Sequence, residues 1–227
     1  MQLRFACEHI GEAYVAQQIW LSASLPRGPL HPQGSCGFAR HGTYARVSPP
    51  GTLIARWYCP EGHRTFSLLP DCLAARLSGT LAEVEAVMLA AEQAPSCEAA
   101  CGIVRLDIDL PGALRWVERR VRAVHGVVHV LMGLLPEPVA GCAPTLTAFG
   151  ERFGLADVLV ALRGIAEEFL QRLAKPLGLC PRRQPGAPAR AGANTVWGRT
   201  RQPPRRRVTR AGNRPAPRGA YAHDRHR

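Results

Sequence analysis

Two pairs of candidate metal ligands, each closing a short turn, carry the clearest chemical signal in this sequence. His31 and Cys36 enclose Pro-Gln-Gly-Ser, Cys59 and His63 enclose Pro-Glu-Gly, and 22 residues separate the pairs. Zinc prefers four sulfur or nitrogen ligands in a tetrahedron, and two turns at one end of a small sheet can supply them. The pattern predicts a Zn²⁺ site formed by His31, Cys36, Cys59 and His63. The alternative is that both cysteines are small buried apolar residues and both histidines are ordinary loop residues.

The segment that positions these residues is short and strand-rich. Gly, Pro, Cys, His and aromatic residues are frequent between residues 28 and 69, and a His41-Gly42 turn predicts a hairpin. We predict strands over 2–7, 38–41, 43–47, 53–58 and 64–67. A segment of this size buries little apolar surface, so a bound metal would stabilise it.

From Thr80 onward the apolar residues recur with helical spacing. Thr80 and Glu83 form a capping-box pattern, and Ser96 and Asp109 stand where they can cap two further helices. We predict helices from 80 to 94, from 97 to about 104, from 110 to 135, over 145–153 and over 156–174. The last one has an apolar stripe at Val158, Leu162, Ile165, Phe169 and Leu173.

The third predicted helix has the most regular pattern in the chain. Its apolar seam follows alternating spacings of four and three: Leu110, Leu114, Val117, Val121, Val124, Val128, Leu131 and Leu135. This seam is either part of the protein's own core or a contact with a protein partner or a second copy. Arg115, Arg119 and Arg122 share another face, which is either a DNA-binding surface or a solvent-exposed one.

Charge is distributed very unevenly along the chain. The formal net charge of +12 lies entirely beyond residue 180, because basic and acidic residues are equal in number up to that point. The segment 180–227 is rich in Arg, Pro and Gly, so we predict that it is disordered. Its arginines, including Arg205, Arg206 and Arg207, can neutralise DNA phosphates without reading sequence. A GC-rich genome explains the same composition without a function for each arginine.

The eight cysteines and the N-terminal sequence indicate a cytoplasmic protein. No apolar core typical of a signal peptide occurs in the first fifteen residues, and no apolar run reaches the roughly 18–20 residues that a membrane span needs. Cytoplasmic thiols stay reduced, so the cysteines are read as metal ligands or as core residues. Cys97 and Cys101 lie one helical turn apart, and we interpret them as core residues because no second ligand pair is nearby.

The ribbon segment resembles a known family. Arg40-His41-Gly42-Thr43-Tyr44, followed by Arg56-Trp57-Tyr58-Cys59-Pro60-Glu61-Gly62-His63-Arg64-Thr65-Phe66, is similar to the zinc ribbon that begins bacterial insertion-sequence transposases. The resemblance covers roughly residues 28–125 and implies a helix-turn-helix after the ribbon. Gly28 and Gly62 stand where the family's knuckles carry cysteines, and Cys36 and His63 are the candidate substitutes.

The predicted ribbon, the helices after it and the arginines predict a DNA-binding protein. The sequence has no phosphate loop, no nucleophile elbow and no carboxylate triad in a strand context, so we predict that the protein is not an enzyme. The alternative function is a protein-interaction module, or a mobile-element remnant. We predict an α+β fold, with a small zinc-ribbon-like β module followed by a mostly helical body and a disordered tail. The predicted divisions are 1–27, a lead-in; 28–79, the ribbon; 80–135, a helix-turn-helix-like region; 136–179, a helical pair; and 180–227, the tail.

Overall fold

The computed structural model of the protein describes residues 1–9, 11–107, 109–135, 137 and 139–179. Within this part of the chain, a small β module precedes a mostly helical body, which confirms the α+β prediction. The predicted disordered tail, with Arg205, Arg206 and Arg207, lies outside the described residues.

Four strands form one sheet with the order β1-β4-β3-β2. The strands are β1 (Gln2–Phe5), β2 (Ala39–Ala45), β3 (Leu53–Cys59) and β4 (Arg64–Pro70). β1 lies parallel to β4, whereas β4, β3 and β2 are successively antiparallel. The predicted strand at the N terminus therefore forms one edge of the sheet.

The predicted hairpin turn at His41-Gly42 is wrong. These two residues lie inside β2, where the pairing with β3 changes register between Arg40 and Thr43. Gly42 has a φ of 74°, a conformation that serves a β-bulge as well as a tight turn. The chain reverses direction instead between residues 45 and 53, so β2 pairs with β3.

Six helices accompany the sheet in the described residues. They are α1 (Gly11–Ala16), α2 (Leu81–Gln93), α3 (Cys97–Val104), α4 (Leu110–Leu134), α5 (Leu146–Phe153) and α6 (Val158–Ile165), with short 3-10 helices at Ile19–Leu21 and Glu167–Phe169. The capping box before α2 is confirmed: the Glu83 N–H donates to Thr80 Oγ1 at 3.0 Å, and the Thr80 N–H donates to Glu83 Oε2 at 2.9 Å. Ser96 caps α3 as predicted. Asp109 precedes α4 but makes no capping bond.

The long helix predicted over 156–174 is wrong in its extent. α6 ends at Ile165, and a 3-10 turn follows, so Ile165 is 44% exposed and not on a buried stripe. Val158, Leu162 and Leu173 are buried as predicted. Gly164, a poor helix former, lies in the last turn of α6, one residue before the helix ends.

The main core lies between one face of the sheet and the helices. Ile54 and Leu69 from the sheet pack in one cluster with Leu81, Val128 and Leu159 from the helices. The opposite face of the sheet is covered by the segment around Ala23 and Leu25, which packs on Ala55 and Leu68.

Helix α2 supplies capping groups to two other helices. Buried Glu85 accepts hydrogen bonds from the Val158 and Leu159 N–H groups at 3.0 and 2.8 Å, at the start of α6. Glu92 accepts from the Leu146 and Thr147 N–H groups at 2.7 and 3.0 Å, at the start of α5. A carboxylate at a helix N-terminus satisfies free N–H groups and opposes the positive end of the helix dipole.

Arg163 joins three parts of the chain at a fully buried position. Its guanidinium donates to five backbone carbonyls, those of Pro70, Asp71, Leu73, Pro176 and Leu177. Burial lowers the pKa of Arg163 to about 10, so the side chain remains charged at neutral pH. The end of β4, the helix α6 and the segment after α6 are thus held around one side chain.

Candidate functional site

The candidate metal centre lies where β3 ends and a loop folds over it. Cys59 is the last residue of β3, and residues 60–63 turn the chain into β4. Cys36 approaches from the loop that precedes β2. Cys36 and Cys59 are both buried and pack with Phe66 in one apolar cluster, which Phe38 and Trp57 border.

The structure brings the two predicted thiol ligands into one buried cluster. Burial raises the pKa of the Cys36 thiol, and the neighbouring Cys59 thiol raises it further. The Gly62 N–H donates to Cys59 Sγ at 3.3 Å. Neither cysteine forms a disulfide. Two of the four predicted ligands are therefore adjacent, on two turns that are well separated in sequence.

The two predicted histidine ligands have other partners. His31 Nδ1 lies 3.7 Å from Glu61 Oε2, and exposed His63 places Nδ1 3.4 Å from the Tyr58 hydroxyl. Among the described residues, no three His, Cys, Asp or Glu side chains form a group that could hold a metal ion. A zinc site with all four predicted ligands would require both histidines to turn toward the thiols.

The two glycines that stand at the family's cysteine positions lie next to the thiols. A Cβ built on Gly28 would be 3.4 Å from Cys36 Sγ, and one built on Gly62 would be 3.3 Å from Cys59 Sγ. The side chain of Leu30 fills the space beside Gly62. Each thiol therefore has one glycine beside it, at a position where the resemblance would place a further cysteine ligand.

The candidate nucleic-acid interface is one face of α4. Arg115, Arg119 and Arg122 are all exposed, as a DNA-binding surface requires. Arg122 Nη2 lies 3.9 Å from Glu118 Oε2, whereas neither Arg115 nor Arg119 has an ion pair with any residue that the structure describes. Arg122 lies seven positions after Arg115, so this face extends about 10 Å along the helix axis.

Two further arginines, Arg120 on α4 and Arg105 at the end of α3, anchor the long helix, and we did not predict them. The guanidinium of Arg120 lies 3.5 Å from the centre of the Trp116 ring, and that of Arg105 lies 4.6 Å from it. Buried Arg120 also donates to Ser78 O at 3.2 Å and Ser78 Oγ at 3.1 Å. Burial, and then the charge of Arg105, lower the pKa of Arg120 to about 10. The four-residue spacing of Trp116 and Arg120 was the available sequence signal.

The apolar seam of α4 mostly faces the protein's own core. Val117, Val124, Val128 and Leu131 are buried, whereas Leu110 at the start of the helix is 52% exposed. The middle of the seam is therefore already occupied by intramolecular contacts. Leu110 lies close in sequence to two other exposed apolar residues, Ile103 and Leu106.

Comparisons with family models, with curated proteins and with solved structures find no match to this chain. In the part of the chain that the structure describes, no helix is both long enough and apolar enough to cross a membrane.

Proposed function

We propose that the protein binds DNA without catalysing a reaction on it, in the manner of the recognition region of mobile-element transposases. The observation that carries this proposal is the pair of exposed guanidinium groups of Arg115 and Arg119, which have no ion pair in the described residues. Arginines in this state can contact phosphates or guanine edges without first breaking a salt bridge.

The anchoring of α4 supports the same proposal. One side of the helix is fixed by the buried valines, by the hydrogen bonds of Arg120 to Ser78 and by the contact of Arg105 with the Trp116 ring. The exposed arginines are thus presented by a rigid element, and a helix held in this way loses little conformational freedom on binding. Because residues 1–180 have no net charge, the body can make only a few phosphate contacts. Arg205, Arg206 and Arg207 would add contacts that are independent of sequence.

The proposal includes zinc as a structural cofactor and a cytoplasmic location. The position of Cys36 and Cys59 in one buried cluster supports a metal site at the end of the sheet, because both thiols could then face a single ion. Zinc binding would bring His31 and His63 away from Glu61 and Tyr58, and the metal would fix the loop before β2 to the turn after β3.

The zinc proposal predicts about one zinc ion per chain. Elemental analysis of protein from metal-supplemented expression measures it directly. Cys59→Ser is expected to remove most of the zinc, and His31→Ala or His63→Ala to reduce it, because each removes one of four ligands. Cys142→Ser is the matched control, since Cys142 lies outside this cluster. Protein that carries no zinc, or a Cys59→Ser variant with unchanged zinc, would contradict the proposal.

The DNA proposal predicts that single replacements of Arg115 or Arg119 by Ala weaken binding to a preferred site by roughly 1–3 kcal/mol. The site is first selected from a random duplex library with the full-length chain. Binding is then measured for each variant over a range of salt concentrations. If the replaced arginine contacts a phosphate, the slope of the logarithm of the binding constant against the logarithm of the salt concentration should also become shallower by about 0.9.

Arg172→Ala is the control for these variants, because Arg172 is exposed but lies away from α4 in the segment after α6. Equal affinities for the control and both α4 variants would mean that the α4 face is only solvent-exposed. Binding that does not weaken with salt would favour the alternative, a protein-interaction module. The exposed side chains of Ile103, Leu106 and Leu110 are the observation that favours that alternative.

A further inference from the structure

Cys36 and Cys59 have a property that zinc binding does not require: both thiols lie in one buried apolar cluster. Cys59 is fully buried and Cys36 is 3% exposed. Phe38, Trp57 and Phe66 form the surroundings, with the rings of Phe38 and Trp57 stacked at 5.4 Å. An uncharged sulfur–sulfur bond fits such apolar surroundings.

We propose that Cys36 and Cys59 form a reversible disulfide by exchange with a low-molecular-weight disulfide such as oxidised glutathione. This inference goes beyond DNA binding and does not depend on it. The bond would join the loop before β2 to the end of β3 across the 22 residues between the two cysteines. It would fasten the same two segments that a zinc ion would.

The two cysteines have different access to solvent, which assigns their roles. Cys36 lines an open cavity of about 440 Å³ in the loop, together with His31, Gly34 and Ser35. Cys59 lies behind it and is fully buried. Cys36 is therefore the thiol that meets the oxidant, and Cys59 is the resolving thiol.

The exchange takes place in two balanced steps. The Cys36 thiolate attacks one sulfur of oxidised glutathione, whose S–S bond breaks, and one reduced glutathione leaves. The Cys59 thiolate then attacks the Cys36 sulfur of the mixed disulfide, and a second glutathione leaves as the bond between Cys36 and Cys59 forms. The two cysteines lose two electrons and two protons, and the two glutathione thiols receive them.

The test uses the full-length protein after metal removal by a chelator. The protein is incubated with oxidised glutathione, its remaining thiols are alkylated, and peptides are identified by mass spectrometry. We expect the peptide of Cys36 linked to that of Cys59. The melting temperature should rise by about 6–12 °C, because a closed loop of this length restricts the unfolded chain. Dithiothreitol should reverse both changes.

Two variants make the result specific. Cys59→Ser should stop the reaction at a stable mixed disulfide of glutathione with Cys36, and Cys142→Ser should leave the linkage unchanged. A wild-type protein that gives only mixed disulfides, or links other cysteines, would overturn the proposal. Because neither metal nor DNA is present, these outcomes are independent of the zinc and DNA measurements. A protein that binds no zinc could still form the disulfide, and a protein that binds zinc could fail to form it.

Discussion

Replacing Arg163 by Met is expected to lower the free energy of unfolding by roughly 3–5 kcal/mol, the largest effect of a single substitution that we anticipate. The methionine would fill similar space but donate no hydrogen bond. Five buried carbonyls would lose a donor at once, and an unsatisfied buried acceptor costs about 1–3 kcal/mol. Some of the loss would be recovered, because Leu73 N–H also donates to Pro70 O, and Ala75 N–H to Pro176 O.

Chemical denaturation monitored by circular dichroism measures this effect. Arg172→Met is the matched control, because Arg172 is exposed and its loss should change stability by less than about 0.5 kcal/mol. The stability of Arg163→Lys should lie between those of Arg163→Met and the Arg172→Met control. An ammonium keeps the charge but cannot donate to all five carbonyls. An Arg163→Met variant as stable as the control would show that the carbonyl contacts do not stabilise the fold.

Replacing Glu85 by Ala is expected to destabilise the protein by about 2–3 kcal/mol. Glu85 lies on α2 but receives the first N–H groups of α6, and its loss would leave two buried donors without a partner. Glu92→Ala is the matched comparison on the same helix. Its cost should be nearer 1 kcal/mol, because Glu92 is less buried and Thr145 Oγ1 also caps α5.

The stabilising effect of Glu85 should also depend on pH. Burial raises the pKa of the Glu85 carboxyl, although the two N–H bonds partly oppose this. Protonation is therefore easier in the folded chain than in the unfolded chain, so stability from this group is lost as the pH rises through the folded pKa. Unfolding free energies of wild type and Glu85→Gln, compared between pH 7 and pH 5, should diverge in favour of wild type at the lower pH. A constant difference would contradict a raised pKa.

Local sequence signals predicted much of the helical body. Thr80 and Ser96 cap helices as expected, because a capping bond joins residues only three positions apart. The alternating spacing of Val117, Val124 and Val128 likewise marked an apolar face of α4, and the structure buries these three residues in the protein's own core. Such features depend on backbone geometry within one or two turns, which the sequence reveals directly.

The features that were missed depend on contacts between distant parts of the chain. Glu85 caps a helix that begins 73 residues later, and no spacing rule connects the two. Asp157 has the sequence position of a cap for α6, yet its side chain makes no capping bond there. No sequence signal singled out Arg163, because its carbonyl partners come from two other segments.

The candidate metal site was predicted only in part by its ligand spacing. The spacing pointed to both thiols, and the fold places Cys36 and Cys59 in one buried cluster. Spacing does not determine where a side chain points after an unusual backbone conformation. His63 has a φ of 46°, and its ring lies beside Tyr58. The bulge at Gly42 was missed for a similar reason, because glycine permits both a turn and a bulge.

The two carboxylates of α2 set a limit on how the sequence of this protein can change in length. Glu85 and Glu92 are seven residues apart, almost two helical turns, so both point toward α5 and α6. Inserting or deleting one residue between them would rotate one carboxylate by about 100° relative to the other. One of the two helices would then lose its cap, whichever residue was added or removed. Related sequences should therefore keep this seven-residue interval without gaps, even where the surface loops differ in length.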